Sequence, residues 1–159
     1  MITFVLDTDG LIKLTKSGVM EELAKYRKCL ITQDVFNEAV KQGKERLYED
    51  AYAIEDLIDR KLLSVEKINF EEINNLGKGE ASSLAIYKKK RCNAIITDDR
   101  KFLSVLEEQR IPFIMPVDVI LGLLKRRKIT TKMAFEALEK MKLFIREELY
   151  TKAKNEIGD

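Results

Sequence analysis

The stretch Val5-Leu6-Asp7-Thr8-Asp9-Gly10-Leu11-Ile12-Lys13-Leu14 decides how the rest of the chain is read. An apolar, β-prone run delivers two carboxylates and a glycine, and an apolar helical pattern begins at once behind them. A strand that ends in acids is a good place for phosphate chemistry. Two chemistries fit "DTDG" by itself: a phosphatase nucleophile with its acid partner, or the first metal ligand of a nuclease.

Working outward, 159 residues with 45% hydrophobic and 35% charged side chains fit one globular domain over residues 1–159. No apolar run approaches a membrane span, and the amino terminus enters a strand rather than a signal peptide, so the expected location is cytoplasmic. The sequence contains no histidine. That excludes Ser-His-Asp and Cys-His nucleophilic catalysis and His-based zinc sites, leaving carboxylates, lysines, hydroxyls or an oxygen-bound metal. Cys29 and Cys92 each open an apolar run and read as buried structural residues. The formal net charge is only +2, but "KKKR" (Lys88–Arg91) and "KRRK" (Lys125–Lys128) are local basic clusters. They suit either helix ends or phosphate contact.

Apolar runs at 2–6, 28–34, 62–68, 93–99 and 111–115 read as strands. Between them, helical periodicity predicts helices over 10–24, 35–43, 45–60, 79–91, 100–110 and 117–128, with a short helix at 70–77 closed by Gly77. A last long helix is expected over 130–154. This alternation predicts a three-layer α/β/α sandwich around a mostly parallel sheet of about five strands. In such sheets ligands gather at the carboxyl ends of the strands.

Asp7 and Asp9 follow the first strand, Glu38 sits one turn into the helix after the second, Glu80 opens the helix before the fourth, and Asp98 and Asp99 end the fourth. All could share one sheet edge. Carboxylates so grouped cannot all stay ionised without compensation. A divalent cation bound by oxygen alone, Mg²⁺ or Mn²⁺, would supply it and would serve phosphodiester hydrolysis. Each acid alone reads first as a helix cap or surface charge; it is the conjunction that points to a site.

Haloacid-dehalogenase-like phosphatases offer one resemblance, through "DTDG", Thr32 and "TDD" (Thr97–Asp99). It would make Asp7 a phosphoryl-accepting nucleophile and Asp9 its acid. Leu11 is unusual for that family, Thr32 follows Asp7 too soon, and Glu38 and Glu80 would have no role.

The fuller resemblance is to the PIN-domain ribonucleases, the family of VapC-type toxins and their archaeal relatives. "VLDTDGLIKL", "LITQDVFNEAV" (30–40), "LGKGEASSLAI" (76–86) and "AIITDDRKF" (94–102) are similar to its four motifs, in order. Asp9 departs from the pattern, standing where Asn or Ser is usual. The resemblance implies a Mg²⁺- or Mn²⁺-dependent endoribonuclease with Asp7, Glu80 and Asp99 as metal ligands. Glu38 would ligate directly or through water, and Asp98 would be a secondary ligand. Thr8 or Thr97 would steady a carboxylate. RNA would be held by Lys13, Arg100, Lys101 and the "KRRK" turn. An inactive RNA-binding or interaction module on the same fold is the alternative. A toxin-like protein would have an antitoxin partner, and PIN domains tend to form homodimers. The stripe Met133, Ala134, Leu138, Met141, Ile145 and Leu149 would serve such pairing or pack on the chain's own sheet.

Overall fold

The structure, a computed structural model, describes residues 1–158. Five strands, β1 (Thr3–Leu6), β2 (Lys28–Thr32), β3 (Leu63–Glu66), β4 (Ala94–Ile96) and β5 (Phe113–Ile114), form one sheet in the order β3-β2-β1-β4-β5. Every pairing is parallel. The chain builds outward from β1 through β2 to β3, then crosses back to place β4 on the other side of β1. The seam between β1 and β4 is therefore the point where strand order reverses, and a crevice is expected outside the carboxyl ends of those two strands.

The apolar runs serve both faces, as their period-two alternation demands. Leu6, Cys29, Ile31 and Ile96 join a core under α1 (Thr8–Ser17), α2 (Met20–Tyr26), α5 (Glu49–Asp59) and the C-terminal helices. Their neighbours Val5, Leu30 and Ile95 join a second core under α6 (Lys78–Lys90) and α7 (Arg100–Glu108). This is the three-layer arrangement expected from the sequence. Cys29 and Cys92 are free and buried, and burial pushes the Cys29 thiol up to about 12. Among the described residues no helix is long and apolar enough to cross a membrane.

Several helix boundaries differ from the sequence expectation, each for a local reason. The 10–24 helix breaks at Gly18, which adopts φ 83° and ends α1. The 35–43 and 45–60 helices become α3 (Gln33–Phe36), a π-helical turn (Asn37–Lys41), α4 (Gln42–Glu45) and α5. Residues 70–77 form no helix; Asn75 takes a left-handed φ of 69°, and Gly77 begins α6 instead of closing a helix. After α8 (Pro116–Lys125), the single helix expected over 130–154 is two: α9 (Thr131–Met141) and α10 (Glu147–Gly158), joined through a 3₁₀ turn at Lys142–Phe144. Consecutive Leu143, Phe144 and Ile145 cannot all face one side of a helix. The break leaves Leu143 and Phe144 exposed and lets Tyr150, Ala153 and Ile157 of α10 fold back onto the core. Of the proposed pairing stripe, Ala134, Leu138 and Met141 are buried in the chain's own core.

Gly10 permits the tightest contact at the seam. A Cβ there would run into the carbonyl oxygen of Ile96 at the end of β4. Gly122, inside α8, has open space where a Cβ would go. Opposite signs follow for the same substitution. Gly10→Ala should lower stability by about 1–3 kcal/mol as an overpacked site does. Gly122→Ala should raise it by about 0.5–1 kcal/mol through helix propensity. Denaturant unfolding of the two variants checks both; a neutral Gly10→Ala would contradict the close approach.

Candidate active site at the seam of the sheet

Asp7 is the first residue beyond β1 and the N-cap of α1. One carboxylate oxygen, Oδ1, accepts the Gly10 N–H at 2.7 Å, and the other accepts the Thr97 hydroxyl from the end of β4. Asp99 caps α7 in the same manner, accepting from the Phe102 N–H at 3.0 Å, while its own N–H donates to Thr97 Oγ1 at 3.1 Å. Each aspartate therefore has a bland role as a cap and a position at the seam at once. Thr97 holds the two together.

Glu80 enters from α6. Its Oε1 accepts the Gly77 N–H at 3.0 Å, and among the described residues no donor reaches its buried Oε2, the Asp99 carboxyl being its neighbour. Glu38 comes from the π-helical turn, with Oε2 accepting from the Thr8 hydroxyl at 2.5 Å and Oε1 from the Gly79 N–H at 3.0 Å. A Cβ at position 79 would stand 2.9 Å from Glu38 Oε2, so glycine there admits the contact.

The electrostatics show that these acids feel one another. Burial raises the Asp7 pKa well above the usual carboxylate range; hydrogen bonds from Thr97 and Gly10 oppose it, and the charges of Asp9 and Glu80 add to it. Glu80 is pushed up to about 7, first by desolvation, against the Gly77 hydrogen bond, then by Asp99 and by the charge of Glu38.

Asp9 and Asp98 belong to a different set. The Lys13 ammonium lies 3.2 Å from Asp9 and 3.1 Å from Asp98, and Arg146 from the turn before α10 approaches Asp98 at 3.7 Å. Burial pulls the Lys13 pKa down, but Asp9 and Asp98 carry it above its ordinary value. Asp9 also accepts the Asp98 N–H at 3.1 Å. A carboxylate at position 9 thus answers Lys13, one turn along its own helix.

The expected residues therefore sort by place. Asp7, Glu80 and Asp99 converge, with Glu38 at their border; Asp98 is turned to Lys13 and Arg146. Arg100 and Lys101 are exposed at the start of α7, beside the acids. The "KRRK" turn does not reach the cluster: it follows the carboxyl end of α8, at the amino edge of the sheet, where Lys128 sits 4.6 Å over the Tyr26 ring. Among the described residues, no three His, Cys, Asp or Glu side chains form a finished metal cage. The donor set still fits a hard cation, because it is all oxygen and leaves the buried Glu80 Oε2 without a donor.

A family model described as DUF3368: PIN domain matches residues 3–159. The chain belongs to the PIN-domain family. Among solved structures, it is similar to a PilT N-terminus domain protein from the hyperthermophilic archaeon Sulfolobus solfataricus P2, with a TM-score of 0.57 and 16% identity, over 77% of this chain and 94% of that one. That likeness speaks for the fold. No curated protein matches. PIN domains are generally nucleases and typically use divalent metal ions, so the fold is of a nuclease type. Membership also leaves the phosphatase resemblance without support.

Sequence reasoning missed three contributors to this PIN site. Arg146 carried no motif and lay inside an expected helix. Gly79 reads in the sequence as part of a helix start, and nothing local announces its N–H bond to Glu38. Ser82, hydrogen-bonded to Thr32 at 2.7 Å, ties α6 to β2 behind the acids; its small size in an apolar helix was the available signal.

Because Glu80 is held near 7 in the folded chain against 4.5 as its ordinary value, the folded state binds more protons between those pH values. Stability must then fall as pH rises through that window, and Asp7 acts in the same direction. In chelator, the melting temperature should decrease from pH 5.5 to pH 8. Glu80→Gln should flatten this slope and raise the value at pH 8. A slope unchanged by Glu80→Gln would show that Glu80 is not the group under strain.

Proposed function

We propose that this PIN domain is a Mg²⁺- or Mn²⁺-dependent endoribonuclease. The observation that carries the reading is the pairing of Asp7 with Asp99 through Thr97 at the β1–β4 seam, against a buried Glu80 oxygen that no donor reaches among the described residues. Asp7, Glu80 and Asp99 would hold the cation, with Glu38 at its edge. When bound, a divalent cation supplies Lewis-acid activation of water and neutralises charge on the phosphodiester.

The rest is the work of the chain's own groups. The caps at Gly10 and Phe102 fix one oxygen of Asp7 and of Asp99, so the carboxylates are oriented before any ligand arrives. Thr97 sets the angle of Asp7, and Thr8 with the Gly79 N–H sets that of Glu38. Arg100 lines a groove beside the acids and would take a backbone phosphate of a strand lying across the seam, whereas Arg146 in the same groove is paired with Asp98 and Glu148. Lys13 is already committed to Asp9 and Asp98, so its part is to balance those charges rather than to grip RNA.

Purified protein with Mn²⁺ should cleave single-stranded RNA. Asp7→Asn and Asp99→Asn should each lower kcat/KM by more than about a hundredfold, beyond the 10–100-fold typical of lost supporting contacts, which is the range expected for Thr97→Val. Their melting temperatures should not fall, because Asn caps a helix about as well as Asp and brings no buried charge. Cleavage that survives both substitutions would refute the assignment. RNA binding with no cleavage by the unaltered chain would favour the inactive-module reading.

A further inference from the structure

A cavity of about 710 Å³ opens from the Thr8–Glu38 pair, away from Asp7, toward the corner between α4 and α5. That volume lies within the roughly 300–1,000 Å³ of small-molecule sites. Two of its walls are aromatic and open to solvent: Tyr48 is 53% exposed and Phe144 is 45% exposed. They come from segments far apart in the chain, the α4–α5 turn and the 3₁₀ turn between α9 and α10. Leu47 and Leu143, each next to one of these rings in the chain, are more exposed still. Exposed rings that converge on one cavity beside a reactive cluster ask for a ligand with a flat face.

The charges of the lining narrow the ligand further. Lys16 and Arg46 face Glu38 and Asp50, and Lys16 is paired with Asp50 at 2.7 Å. A balanced lining does not trap a phosphate. It suits a neutral heterocycle, stacked on rings and met at its edge by the Gln42 amide. Arg46, exposed at the rim, is free to meet the phosphate attached to it. Lys16, which also lines the cavity, lies 4.7 Å from the centroid of the Phe144 ring, so that ring already meets a cation at the cavity wall.

We propose that this cavity is a nucleobase subsite: it takes one unstacked base of the RNA strand, beside the phosphate presented to Asp7, Glu80 and Asp99. Its place in the reaction rests on the ribonuclease reading, but the subsite itself is a matter of binding. A paired duplex cannot enter, because its bases are already stacked; the subsite therefore selects single-stranded or looped RNA.

The test uses short single-stranded RNAs carrying one abasic position, moved along the strand, with binding followed by fluorescence anisotropy in the full chain bearing Asp99→Asn. Removing the base at one position should weaken binding about tenfold, within the usual range for one stacked base. Adding Phe144→Ala should weaken the intact strand by a similar factor and erase that positional dependence. Phe144→Tyr should restore both, with unaltered melting temperatures. Equal affinity of Phe144→Ala for the intact strand, or the same loss at every abasic position, would overturn the subsite. So would a result in which Phe144→Ala changes only the oligomeric state of the chain, since the rings would then belong to an interface between copies. A positional pattern in a protein that cleaves nothing with Mn²⁺ would uphold the subsite and remove the catalytic reading. Cleavage without the pattern would do the reverse.

Discussion

The hydroxyl of Thr97 donates to the Asp7 carboxylate across the seam where β1 meets β4. Asp7 and Asp99 take their relative position from that bond. It joins two strands that lie far apart in the chain, and it does so at the one point where the strand order turns back. Gly10 lets the first turn of α1 come close enough to β4 for the bond to form, and the same threonine receives the Asp99 N–H. A single buried hydroxyl thus sets the distance between two aspartates that are also helix caps.

Around that bond the acids divide into a neutralised set and an uncompensated one. Asp9 and Asp98 have Lys13 and Arg146; Asp7, Glu80 and Asp99 have only hydrogen-bond donors. The division explains the unusual Asp9. An amide there would leave Lys13 with half its partners, so the departure from the family pattern balances a cation on the same helix rather than adding a ligand. Within the uncompensated set, burial and neighbouring carboxylates raise the pKa of Asp7 and of Glu80. Carboxylates placed in this way favour positive charge beside them.

Much of this was legible in the sequence because it depends on short-range pattern. Runs such as "ITFVL" and "NAIIT" announce buried parallel strands, and acids at the ends of two of them locate Asp7 and Asp99. The helix start at Glu80 and the motif that places Glu38 could be read in the same way. Other features depend on three-dimensional accommodation and leave no periodic trace. The π-helical turn that carries Glu38 differs from an α-helix by one residue of register. The break at Lys142–Phe144 is forced by where α10 must pack, and it is this break that brings Arg146 to Asp98 and Phe144 to the cavity. The "KRRK" cluster was visible as charge, but which edge of the sheet it occupies follows only from the direction of α8.

The central claim is that the uncompensated acids at the seam form a cation site. An anomalous difference map from crystals grown with Mn²⁺ tests it most directly. The account predicts one strong peak at coordination distance, about 2.0–2.2 Å, from carboxylate oxygens of Asp7, Glu80 and Asp99. A map without a peak at Asp7, or with its peak among Asp9, Asp98 and Lys13, would contradict it.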